Sequence, residues 1–218
     1  MICFLCLFIG LGCSDDAEDQ INVPENNENS AEENTTVIRV SIPDPAFEQA
    51  LIDLNFDNVL DGAVDKSRID FISDLIIDDK GITDLTGISE FDELVNLNVR
   101  NNQLTSLDVS RNFNLLFVWA EDNELENINV DQLSSLEKLG LDRNKLESIN
   151  VVTNSGIQLL TLAENQLTSI DVSANNALTD FTVVDNPLNC ILVNEMQLNA
   201  IPTDWEKDEM DSYSLDCQ

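Results

Sequence analysis

The chain has 218 residues, 43% of them hydrophobic, which is enough to bury the core of one sizeable domain with appendages. Forty-two acidic residues face ten basic ones, and there is no histidine, for a formal net charge of −32. A surface so acidic repels phosphate backbones and anionic membrane surfaces, so nucleic acid is excluded as a direct partner.

In chain order, the first element is the apolar run 2–12, ICFLCLFIGLG, which is too short to span a bilayer at about 20 residues per crossing. It reads as the apolar region of a signal peptide over residues 1–12. Its end, small residues followed by Cys13, resembles the cleavage and lipidation site of bacterial lipoproteins; an ordinary secretory signal is the alternative. The resemblance implies that the leader is cut off and that Cys13 becomes the acylated N-terminus. The next residues, Ser14-Asp15-Asp16, resemble the signal that sends lipoproteins of Bacteroidota to the outer face of the outer membrane. On that resemblance the protein is anchored by lipid to the outer membrane and faces the cell exterior. Cleavage would remove Cys3 and Cys6, and lipid would occupy Cys13. Two cysteines remain, the even number that an oxidising compartment favours, and a Cys190–Cys217 disulfide is expected.

Residues 13–37 carry eight acidic side chains and no basic one up to Thr36, with almost no large apolar group. Such a tract has too little apolar area to offset its ordering entropy and is expected to be a flexible tether.

Residues 38–71 read as an N-terminal cap. DPAFEQALIDLNF has an N-cap at Asp44, Pro45 at the first helical position, and Phe47, Leu51 and Leu54 at helical spacing, so these three are expected to pack against the next part of the chain. DNVLDGAVD from Asp57 places Asp57, Asp61 and Gly62 at the first, fifth and sixth positions of a calcium loop. Val59 fills the third and Arg68 the twelfth, where a bidentate Glu is required, so a plain loop is the reading and no metal is expected.

From Ile72 to Cys190 the chain repeats itself. Units start at Leu94, Leu115, Leu136, Ile157 and Leu178, each 21 residues after the last, with an imperfect copy 22 residues upstream at Ile72. LVNLNVRNNQLTSLDV and IQLLTLAENQLTSIDV follow L-x-x-L-x-L-x-x-N-x-L, the signature of leucine-rich repeats. The expected fold is an α/β solenoid, a right-handed coil in which each L-x-L makes a short strand of a parallel concave sheet. Units this short leave room only for extended chain and turns on the convex side. An Asn column, Asn102, Asn123, Asn144, Asn165 and Asn186, is expected to satisfy backbone groups at the inward turn; Lys80 replaces it in the first unit, marking an edge coil. Residues 191–218 lose the period and read as a C-terminal cap with the disulfide. The whole resembles the leucine-rich repeat lipoproteins of Bacteroidota and, more distantly, internalin-like surface proteins.

The resemblance implies a binding scaffold. Its candidate residues are the outward positions of the strands, chiefly Phe117 and Trp119 with Asn96, Asn98, Arg100, Glu121, Lys138 and Asp142 around them. Gly140, beside Trp119, is expected to leave the indole exposed, and aromatics ringed by polar groups anchor protein interfaces or stack on sugars. Six strands span about 25 Å, enough for about 800 Å² of interface per partner. With no histidine and the mature cysteines committed, no catalytic residue, cofactor or enzyme activity is expected. A protein or peptide partner, bound by a monomer, is the leading expectation; a glycan ligand or a structural spacer in the envelope are the alternatives.

Overall fold

A computed structural model describes residues 37–217. The leader, Cys13 and the acidic tract up to Thr36 lie outside them. No helix among the described residues is long and apolar enough to cross a membrane.

The N-terminal cap comprises strand β1 (Arg39–Ser41), helix α1 (Pro45–Asp53), strand β2 (Ala63–Asp65), antiparallel to β1, and helix α2 (Lys66–Ile69). Asp44 starts α1. Its Oδ1 accepts the N–H groups of Ala46 and Phe47, and its Oδ2 accepts the N–H and hydroxyl of Thr83 and the N–H of Asp84. One buried carboxylate therefore caps the helix and clips it to the first coil. Phe47, Ala50 and Leu51 face the core, and Phe47 stacks on Phe91 with ring centroids 6.2 Å apart. Leu54 departs from expectation. The helix ends at Asp53, so Leu54 sits at the C-cap and points to solvent. The loop beginning at Asp57 is closed by a carboxylate of the protein itself: Glu48 Oε1, buried, accepts the N–H groups of Asp61, Gly62 and Ala63 at 2.8, 2.7 and 3.1 Å.

Beyond the cap the chain winds through β3 (Asp74–Ile76), β4 (Asn96–Asn98), β5 (Ser106–Asp108), β6 (Phe117–Trp119), β7 (Asn127–Asn129), β8 (Lys138–Gly140), β9 (Leu159–Thr161), β10 (Ile170–Asp171), β11 (Asp180–Thr182) and β12 (Cys190–Leu192). Helix α3 (Glu195–Asn199), β13 (Trp205–Glu206) and β14 (Ser212–Ser214) complete it. The concave sheet is parallel, in the order β3-β4-β6-β8-β9-β11-β13. It has seven strands where the repeats alone supply six, because the C-terminal cap contributes β13. The return side is extended chain carrying two small parallel sheets, β5-β7 and β10-β12-β14, and one short 3-10 turn at Ile88–Glu90. Inward Leu, Ile and Val side chains of successive coils form one continuous core.

The Asn column is a hydrogen-bonded ladder. Asn144 Nδ2 donates to Leu141 O and Asp142 O in its own turn and to Ala120 O in the coil before, while its Oδ1 accepts Leu125 N–H from that earlier coil. Asn102, Asn123, Asn165 and Asn186 repeat the pattern. The first coil borrows its rung from the next: Lys80 and Ile82 donate to Asn102 Oδ1, and the Lys80 ammonium pairs with Asp53. The residue before each rung, from Asp79 to Asp185, takes positive φ, so each turn places a non-glycine residue in the left-handed region.

A second ladder runs along the return side. Asn112, Asn154 and Asn175 are buried and donate to carbonyls of the preceding coil, and Gln197 of α3 closes the column on Val172 O and Asn175 O. The C-terminal end is sealed by Trp205, packed between Phe181 and Tyr213, and by the Cys190–Cys217 disulfide.

Candidate functional site

Strand β6 lies third in the concave sheet, between β4 and β8. Its alternation buries Val118 and turns Phe117 and Trp119 to the concave face. Parallel register then aligns two rows across three strands, Asn96–Phe117–Lys138 and Asn98–Trp119–Gly140. A third row, Arg100–Glu121–Asp142, lies two residues further along each strand.

The structure brings seven of the eight proposed residues, all but Asp142, into two charged aromatic pairs and their immediate surroundings. The Arg100 guanidinium lies 4.5 Å above the Trp119 ring and forks onto Glu121, with Nε and Nη2 each 2.7 Å from a carboxylate oxygen. The Lys138 ammonium sits 5.6 Å from the centre of the Phe117 ring and makes no salt bridge among the described residues. Each cation over a ring contributes about 0.5–1 kcal/mol at a partly exposed site. Asn96 and Asn98 flank the rings on the β4 side, Asn96 donating to Asp74.

This corrects the expected exposure of the indole. Trp119 and Phe117 are both half-buried. Gly140 does not open the site but makes room for its parts: a Cβ there would come within 2.5 Å of Glu121 Oε1 and 2.9 Å of Trp119 Cε3. Gly140→Ala is therefore expected to displace Glu121 and the indole together. Trp119 emission should shift to the red, while the urea midpoint falls by less than the equivalent of about 1.5 kcal/mol, because the clash is with side-chain atoms and not with backbone. An unchanged spectrum would show that the fork tolerates the methyl.

Glu121 is buried, and its carboxylate is occupied by Arg100, so it positions the guanidinium instead of meeting a ligand directly. Asp142 turns away from the pair and accepts Ala163 N–H at 2.8 Å. Burial pushes the Asp142 carboxyl above the ordinary value, and the neighbouring Glu121 charge adds to the rise. Along the same rim, Arg143 forks onto Asp122 and holds that carboxyl below its usual range. The ion pairs Arg100–Glu121, Asp122–Arg143 and Glu124–Lys145 each join residues 21 apart. Opposite charges at one repeat length were therefore a readable sign of rim pairing.

Among the described residues, the exposed charges without a salt bridge at the two ends of the face are acidic, Asp74 and Asp78 at the β3 end and Asp180 and Glu206 at the β13 end, while Lys207, also without a salt bridge, is half-buried over Tyr213. A cavity of about 250 Å³ lies elsewhere, on the return side between the first two coils, and its carboxylates Asp84 and Asp108 are occupied by the turns at Thr86 and Ser110. No group of three or more acidic or cysteine side chains among the described residues is placed to hold a metal ion.

Among solved structures, the functional domain of InlJ from Listeria monocytogenes, described as including a cysteine ladder, is 28% identical over 72% of this chain, with a TM-score of 0.64. The fold is that of an internalin-like leucine-rich repeat protein. The chain spans only 38% of that domain, and it has no cysteine within the coils before Cys190, asparagines forming its own ladders. Internalin C2 of the same organism is 21% identical, with 79% of this chain and 87% of that one covered at a TM-score of 0.51, a likeness of fold. No family model matches the chain, and neither does any curated protein.

Proposed function

We propose that the protein is a binding module that takes a protein or peptide partner on its concave face, displayed outside the cell by lipid attached at Cys13. The observation that carries the reading is the pair of half-buried aromatics, each under a cation, at the centre of a rigid parallel sheet. Trp, Phe and Arg are the side chains that dominate protein interfaces. Here packing already holds them, so little side-chain freedom remains to be lost on association. The internalin-like fold supports an interaction role of this kind.

A glycan would stack on an open ring face. Arg100 and Lys138 stand over the two rings, which favours protein over sugar. A structural spacer has no use for the arrangement.

The test is capture from envelope and environmental extracts with residues 38–218, beside a Phe117→Ala, Trp119→Ala double variant whose melting curve confirms folding. A partner retained by the unaltered protein and lost by the variant is the expected result. Identical captures from both would move the working surface to the caps or the return side. Retention on a polysaccharide matrix that Trp119→Ala abolishes would replace the protein ligand with a sugar.

A further inference from the structure

We infer that the partner is a basic one of bipolar form, carrying two cationic clusters about 25–30 Å apart with an apolar segment between them. The inference rests on the concave-face reading and concerns how charge is distributed across that face. At its centre, Arg100 is neutralised by the Glu121 fork, and Lys138 over Phe117 and the half-buried Asp142 add one charge of each sign. At its ends, Asp74 and Asp78 on one side and Asp180 and Glu206 on the other are exposed and paired with no cation among the described residues. The β3 end also exposes Ile76 between its two carboxylates, and Leu159 lies half-buried between the centre and the far end.

The face thus alternates acidic, apolar with balanced charges, and acidic. Six inter-strand steps of about 4.8 Å separate β3 from β13, which sets the distance between the acidic ends at about 29 Å. An extended segment of about nine residues covers it. A partner with positive charge spread evenly would set a cation against Lys138; one with positive charge only at its ends avoids it. Two weak electrostatic contacts joined by one chain reinforce each other, because the second is made at high effective concentration. Charge complementarity of this kind also sets register and encounter rate.

The overall charge of −32 attracts any cationic peptide, so the experiment must separate position from total charge. The probes are two blocked decapeptides of the same composition, each with four lysines and a Leu-Phe-Leu segment. One has two lysines at each end. The other has all four lysines together at one end. Binding to residues 38–218 is followed by anisotropy of a dye on each peptide at about 0.05 M salt, where screening is weak. The two-ended peptide is expected to bind about tenfold more tightly than the one-ended peptide. Asp74→Asn, Asp78→Asn should erase that difference, whereas Glu126→Gln, Glu147→Gln on the return side should leave it intact. Equal binding of the two peptides, no binding of either, or equal losses in both charge variants would overturn the inference. The Phe117→Ala, Trp119→Ala variant reports separately on the concave-face reading: if it keeps the full affinity for both peptides, the aromatic centre is not the anchor, whatever the ends do.

Discussion

Replacing Asp44 with alanine is expected to lower the unfolding free energy by about 3–4 kcal/mol. A helix N-cap alone is worth about 0.5–2 kcal/mol. Asp44 also accepts three donors from Thr83 and Asp84 in the first coil, and these part-buried groups would lose their acceptor without it. Urea unfolding at pH 7 measures the loss; a drop below about 1 kcal/mol would mean that water or a neighbour replaces the carboxylate without cost. The same group predicts a pH dependence. Burial pulls the Asp44 carboxyl upward, but the Thr83 hydroxyl and the N–H groups of Thr83, Phe47 and Asp84 outweigh it and hold the group below its ordinary value. Above about pH 5 the side chain is ionised in both folded and unfolded chains, and its contribution is complete. As pH falls further, the unfolded chain takes up the proton first, and stability drains away until the folded group titrates too. The gap in urea midpoint between the protein and Asp44→Ala should therefore narrow between about pH 5 and pH 3. A constant gap would refute the lowered pKa.

Asn144→Ala should cost about 2–4 kcal/mol, although the substitution removes only a small side chain. It strips four hydrogen bonds from the middle of the ladder, orphans Leu125 N–H in a buried turn, and leaves the carbonyls of Ala120, Leu141 and Asp142 with one donor each, from Asn123, Asn165 and Asp122. Asn144→Asp separates the two halves of the amide. It keeps an acceptor for Leu125 N–H but turns a second oxygen toward carbonyls, so at pH 7 it should be at least as damaging as alanine and should recover in part once protonated. Asn186→Ala, at a half-buried rung, should cost less than Asn144→Ala. Equal losses at the two rungs would show that burial does not set the penalty for an orphaned turn. Both measurements use thermal and urea unfolding of the same variants.

The spacing of leucines and asparagines made the solenoid legible, because each coil solves the same packing problem and a fixed offset superimposes the solutions. Lys80 was readable as an edge for the same reason, and the structure shows how the edge is served, by the next coil's Asn102. The second ladder was written in the chain at Asn112, Asn154 and Asn175 but is interrupted by Leu133, and it lies outside the L-x-x-L-x-L-x-x-N-x-L unit. The left-handed column was legible only in part: Asp79, Asn101, Asp122 and Asp185 are the short polar residues that tolerate this backbone shape, whereas Arg143 and Glu164 carry no such mark. At the concave face, alternation placed Phe117 and Trp119 correctly on the outer side of β6. It said nothing of lateral reach, and it is the reach of Arg100 and Lys138 across one strand that half-covers the rings. Leu54 failed because helical spacing does not mark where a helix stops.

From Leu94 to Leu178 each coil hands its neighbour an identical set of unmet donors and acceptors. An inserted or deleted unit of the same length would find the same docking on both sides, so the array behaves like a ruler whose length changes in whole divisions. Only the ends resist, since Lys80 and Gln197 are fitted to particular neighbours. Reach is thus adjustable independently of the two caps, and the separation of the acidic ends would grow or shrink by one strand at a time while the aromatic centre kept its form.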